Sequence, residues 1–235
     1  MERPSLSRAA ILERALALAD AEGLEAVGIR RLARELGVTP MALYWHFESK
    51  QELLYALGDR LLAGLDLRQD RGAPWQERLH ALVGSLMAVL RAHPSAAGLI
   101  AELPTTAEHA LNATEAALQI LHDGGFTPEE AVDVTEQIVR VTTSLAAAGF
   151  EPSHSPEVEA RKREAFRGLP ARRFPRIREA AEPMSRSSDR DAFYALGVEL
   201  LVAGIEALGV PDRRVRPAAD AATRRRSGGA PRRSR

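Results

Sequence analysis

Cysteine is absent from all 235 residues, which removes disulfides, zinc–thiolate sites and thiol nucleophiles from consideration. Aromatic residues are scarce, with 2 Trp, 3 Tyr and 6 Phe. Nowhere do apolar and polar residues alternate with the period of two that a half-buried strand requires, so a sheet has no support. No apolar run approaches the length that spans a bilayer. The first ten residues, MERPSLSRAA, lack the apolar centre of a secretory signal. The expectation is a cytoplasmic protein without a membrane partner. Net charge is absent too, with 32 Lys and Arg against 32 Asp and Glu. The first fifty residues carry seven bases (Arg3, Arg8, Arg14, Arg30, Arg31, Arg34, Lys50) and seven acids. Balanced charge is ordinary for a soluble domain, so any nucleic-acid role must rest on where the bases stand. His46, His80, His93, His109, His122 and His154 show no metal-binding spacing. No phosphate loop or nucleophile elbow occurs. No catalytic residue, metal or cofactor is therefore assigned, and an enzyme is not expected.

What is abundant is Ala, Leu, Arg and Glu, a helix-forming composition. The expected fold class is all-α. Helical stripes run over 6–22, 29–36, 40–47, 49–67, 75–92, 106–123, 128–148 and 189–208, punctuated by Gly23, Gly37, His93-Pro94, Gly124-Gly125 and Gly149. Ser49 with Glu52 reads as a capping box, and Thr127-Pro128-Glu129-Glu130 as a helix start of cap, proline and acids near the positive end of the dipole. Between 151 and 188 the chain is rich in Pro, Arg and Glu, and one short helix, 157–166, is expected within a mobile connection. The organisation that follows is 1–48 as a helix-turn-helix head, 49–210 as a helical body and 211–235 as a disordered Arg-rich tail.

The richest stretch is IRRLARELGVTPMALYWHFESKQELL, from Ile29 to Leu54. Two short helices meet at a turn on Gly37. The second opens with Thr39 as a hydroxyl cap and Pro40 at its first position, where a missing amide costs nothing. It then places Met41, Ala42, Tyr44, Trp45 and His46 within barely two turns. Helices that read a DNA groove carry such surfaces more often than packing helices do. Arg30 has a forked donor suited to guanine O6 and N7. Met41 and Ala42 suit a thymine methyl, Tyr44 can rest its ring on the helix and reach a phosphate, and Lys50 can reach the backbone. Other readings stay open. Met41 could pack on the first helix, Tyr44 and Trp45 could be core, and Arg30, His46 and Lys50 could be solvated side chains.

The tract LARELGVTPMALYWHFESKQELL resembles the TetR family of transcriptional repressors. PWQERLHALVGSLMAVLRAHP, LQILHDGGFTPEEAV and FYALGVELLVAGIEAL resemble the regulatory domain of tetracycline repressors. The likeness covers about Leu6 to Leu208. It implies a homodimer that binds a double-stranded DNA operator and a small-molecule effector. By the resemblance, Arg30, Pro40, Met41, Ala42, Trp45 and His46 face base edges, while Tyr44 and Lys50 meet phosphates. One departure is Val27-Gly28-Ile29, where many members place a hydroxyl at the start of the helix. Another is Glu48, an acid where a base would suit the DNA backbone better.

Alanine and leucine stand where tetracycline repressors hold their magnesium chelate, so a largely apolar effector is expected instead. The pocket candidates are Leu82, Leu86, Ile100, Glu102, His109, Asn112, Ala113, Ala117 and Gln137. Dimerisation is assigned to Val134, Ile138, Val141 and Leu145 on one helix and Gly197, Leu200, Leu201 and Gly204 on the last. Each interior glycine costs about 1 kcal/mol relative to alanine, which a close crossing at a symmetric interface would explain. Gly58 and Gly64 are read as easing movement of the fourth helix. The expected function is a ligand-responsive repressor released from a palindromic operator. The rival is a non-catalytic helical binding or scaffold protein with a degenerate head.

Overall fold

The structure is a computed structural model that describes residues 6–68, 70–104, 106–147, 155–186 and 189–209. The Arg-rich tail assigned to 211–235 lies outside them. Eleven α-helices and two short 3-10 segments make up the fold, with no strand among the described residues. Their order is α1 (Arg8–Glu22), α2 (Ile29–Glu35), α3 (Pro40–Tyr44), α4 (Lys50–Leu62), α5 (Trp75–Ala92), α6 (Glu108–Asp123), α7 (Pro128–Ala147), α8 (Pro156–Arg167), α9 (Pro175–Glu179), α10 (Ala181–Ser185) and α11 (Arg190–Leu208).

Local chemistry sets the boundaries. Ser7 starts α1 by accepting from the Ala10 amide, and Gly23, at φ +86°, ends it in a conformation that favours glycine. Gly37, at φ +66°, makes the turn between α2 and α3. Thr39 accepts from the Ala42 amide and Pro40 opens α3. Before α7, Thr127 and Glu130 form a reciprocal box: each amide donates to the other's side chain, at 2.9 and 3.3 Å. The box before α4 is half of that. Ser49 accepts from the Glu52 amide, but the Glu52 carboxylate reaches back to the Glu48 amide instead, because its other oxygen is taken by Arg8.

Ile11, Ala15, Leu18, Leu32, Leu43, Phe47, Leu53 and Leu57 form the core of the first part. They belong to the same connected cluster as Leu79, Val83, Leu90, Ile120, Leu121 and Val202 of the second, and α4 joins the two. In the body α5 packs on α6, α7 and α11, and the 3-10 segment Pro94–Glu102 lies between α4 and α7. Trp75 meets Phe126 edge to face, with centroids 5.6 Å apart. Helices α8, α9 and α10 pack on one another.

Several expectations shift. The fourth helix stops at Leu62 rather than near 67, so Gly64 lies beyond it. Gly58 is buried, and a Cβ there would sit 3.0 Å from the Leu99 Cβ, so it permits close packing rather than easing movement. The recognition segment expected over 40–47 is helical only to Tyr44, its last residues forming a turn. The connection expected to hold one helix, 157–166, holds it as α8 and adds α9 and α10 among its described residues, each of 5 residues and too short for a periodicity argument.

Candidate nucleic-acid interface and effector cavity

The balanced charge of the head resolves once its ion pairs are seen. Arg14 and Arg31 both bind Glu35, at 2.6 and 2.7 Å, and Arg31 also binds Glu22. The hydrogen bond from Arg31, then that from Arg14, holds the Glu35 carboxyl below its ordinary range. These bases lock α2 to α1. Arg8 binds Glu52, donates to the carbonyl of His46 and lies 4.2 Å over the Phe47 ring. Arg30, Arg34 and Lys50 are exposed and make no ion pair among the described residues. The acids Glu22, Glu35 and Glu52 pair with Arg8, Arg14 and Arg31 and leave these three unpaired.

Only Leu43 of α3 is buried. Met41 is 65% exposed, Tyr44 48% and Trp45, which follows the helix, 84%. Thr39 and Pro40 are exposed, and Ala42 and His46 half-buried. Packing of Met41 on α1, and core positions for Tyr44 and Trp45, are thus not the arrangement found. A short helix that opens on a proline and stands out by its apolar and aromatic groups can enter a major groove.

The body holds a partly open cavity of about 290 Å³. Its lining comes from the end of α4 and from α5, α6, α7 and the 3-10 segment: Leu62, Leu65, Leu82, Val83, Leu86, Ile100, Leu103, Pro104, Ala110, Leu111, Ala113, Thr114, Ala117, Thr135, Ile138 and Val139. No charged side chain and no histidine faces it. Thr135 donates its hydroxyl to the Ala131 carbonyl at 2.8 Å, so toward a ligand it offers acceptor lone pairs. Of the nine residues expected at an effector site, Leu82, Leu86, Ile100, Ala113 and Ala117 line this cavity. Glu102, His109, Asn112 and Gln137 do not. Glu102, Asn112 and Gln137 are exposed, and His109 turns to Asp59. Asn112 and Gln137 each sit one residue from a lining position, and a step of about 100° carries them off the inner face.

The family of bacterial regulatory proteins described as tetR matches residues 11–57. The tetracyclin repressor-like C-terminal domain matches residues 69–208. The chain belongs to the TetR family. It is 31% identical to the class E tetracycline repressor protein of Escherichia coli, over 84% of this chain and 89% of that one. It is 30% identical to the transcriptional repressor DrrR1 of Streptomyces coeruleorubidus, over 68% of this chain and 58% of that protein. The TetR family protein ActR of Streptomyces coelicolor, solved with actinorhodin, superposes with a TM-score of 0.73 at 27% identity, covering 87% of this chain and 99% of ActR. This TetR-family chain is a DNA-binding transcriptional regulator with a ligand-binding body, all-α in fold. Family members regulate transcription rather than catalyse.

The residues assigned to a TetR dimer contact divide. Val134 and Ile138 are buried within one protomer, and Ile138 lines the cavity, because α7 turns its Ala131, Val134, Ile138 and Thr142 stripe inward. Gly197 is explained inside the chain: a Cβ there would lie 2.5 Å from Cδ2 of Leu145, which is half-buried. Leu201 is half-buried, whereas Val141 and Leu200 are exposed and Gly204 faces open space. Helix α11 has two stripes. Tyr194, Val198, Val202 and Ile205 pack inward, while Phe193, Leu196, Leu200 and Leu208 are exposed. Spacing along the sequence singled out Leu200, Leu201 and Gly204 and did not identify the stripe of Tyr194, Val198, Val202 and Ile205 that packs inward. Leu103, Pro104 and Thr135 are among the cavity residues that were missed, because the loop after the 3-10 segment and a lone threonine carry no periodic signal.

Proposed function

We propose that the chain is a repressor that binds a palindromic operator as a homodimer and is released by a small, largely apolar effector. The observation that carries this is the cavity: an apolar space with Thr114 and Thr135 as its polar groups, closed on one side by the last turn of α4. Such walls favour an uncharged apolar molecule with a donor for Thr135. They lack the donors that a magnesium chelate needs. ActR, solved with actinorhodin, supports a small-molecule reading at this level of similarity.

In the proposed layout, 1–48 is the head and 49–210 the body, and the protein works in the cytoplasm with no catalytic step. Arg30, Thr39, Pro40, Met41, Ala42, Tyr44, Trp45, His46 and Lys50 form the DNA surface. The twofold contact uses Val141, Leu200 and Gly204 with the exposed stripe of α11. Two copies of α3 then enter successive major grooves about 34–36 Å apart, and an effector shifts α4 and with it that spacing. A footprint on DNA flanking the gene tests this. The expected result is two protected half-sites in inverted repeat, lost when an apolar ligand occupies the cavity. Absence of any protected palindrome at moderate salt overturns the repressor reading.

A further inference from the structure

Helix α4 carries a carboxylate toward each end of one face. Glu52 and Asp59 are seven residues apart, two turns, so they project from the same side about 10 Å apart along the axis. Glu52 is tied to the head. Its Oε1 accepts from Arg8 at 3.1 and 3.2 Å, and Arg8 in turn holds the His46 carbonyl and the Phe47 ring just after α3. Asp59 is tied to the body. Its Oδ1 accepts from the backbone amides of His109 and Ala110, at 3.0 and 3.1 Å, and its Oδ2 lies 2.8 Å from His109 Nδ1. The position that should cap α6 is Ala107, which has no side chain able to do so. Asp59 supplies that cap from another helix. Ala110 and Pro104, on either side of this junction, both line the cavity.

We infer that Asp59 is a positioning residue that transmits occupancy of the cavity to the DNA-reading head, with the Arg8–Glu52 clasp as its counterpart at the other end of α4. This deepens the effector-released reading and rests on it. Elsewhere on α4, Leu57, Leu61 and Leu62 are buried and apolar, and Gly58 lies close against Leu99 and Leu103. Apolar contacts have no direction and let helices slide. A carboxylate that accepts two amides and faces an imidazole is directional. A ligand that displaces the first turn of α6 must therefore take Asp59 with it or break the set. Because Asp59 and Glu52 share one rigid helix face, displacement at one reaches Arg8, and through it the end of α3.

The absence of cysteine makes the test direct. Ala113→Cys places a single thiol in the cavity wall, and benzyl methanethiosulfonate then fills the space covalently. Binding is measured on a duplex that the unsubstituted chain selects from a random pool. In Ala113→Cys the label is expected to change operator affinity at least tenfold. With Asp59→Ala added, the labelled-to-unlabelled ratio is expected to fall below twofold while the labelling rate stays as in the parent. Asp59→Asn keeps an acceptor for the amides but loses the charge facing His109, and is expected to fall between. It carries the test if Asp59→Ala does not fold. A full response to the label in both variants, or in Asp59→Asn where it alone folds, overturns the role of Asp59 and leaves the effector reading standing. A flat response in Ala113→Cys itself overturns the effector reading, and the inference with it.

Discussion

Helices α3 and α11 both hold large apolar groups in water, and the surroundings of each set what those groups are for. On α3 the exposed Met41 and Tyr44, with Trp45 just beyond, crowd a helix of 5 residues, and the helices before and after it carry Arg30, Arg34 and Lys50, exposed and without an ion pair among the described residues. That pairing of flat apolar surface with positive charge suits a duplex, whose groove edges offer methyls and acceptors and whose backbone is anionic. On α11, Phe193, Leu196, Leu200 and Leu208 run along a helix of 19 residues whose opposite stripe is already packed. A long second apolar face suits another helix of the same kind. Exposure by itself is ambiguous; length and neighbouring charge distinguish the two.

The largest break in this contrast should come from α11. Leu196→Asp with Leu200→Asp is expected to give a monomer by sedimentation and to weaken operator binding by about a hundredfold or more, because the second half-site contact is no longer intramolecular. Retained self-association would place the dimer contact elsewhere. A sharper comparison lies within α2, between neighbouring arginines. Arg30→Ala should cost operator affinity about tenfold and relax preference at one base pair. Arg31→Ala should lower the melting temperature through loss of its bonds to Glu22 and Glu35, with little change in base preference. Equal effects of the two on sequence preference would remove the distinction between structural and reading arginines.

The smallest expected effect concerns pH and the body alone. Arg78 of α5 is buried and binds Asp123 at the end of α6 at 2.7 Å. That hydrogen bond, then one from Gln119, lowers the Asp123 carboxyl from its ordinary value of 3.8. A depressed carboxyl contributes stability above its unfolded value and loses it as pH falls through the folded one. The melting temperature should therefore drop more steeply below about pH 4 in the parent than in Asp123→Asn. Identical pH slopes would show that the pair contributes nothing measurable.

Local signals were legible because they act over a few residues. Ser7, Thr39, Ser49 and Thr127 cap the helices they precede, Gly23 and Gly37 turn where expected, and the buried stripes of α1 and α2 fall at their spacing. Signals that needed a second element were less legible. Val134, Ile138 and Gly197 were assigned to a partner subunit, yet they are occupied within the protomer, because hydrophobic spacing marks a face without naming what covers it. His109 looked like a ligand for the cavity and instead meets a carboxylate 50 residues away.

The sequence by itself determined the longer helices, most of their caps and turns, and the short proline-led helix with its aromatic run, since each depends on spacing along the chain. Only the tertiary structure decided which arginines of the head are held in ion pairs, which stripe of α11 is exposed, which walls line the cavity and what Asp59 holds. Those outcomes depend on distances between residues far apart in sequence, and neither periodicity nor composition encodes them.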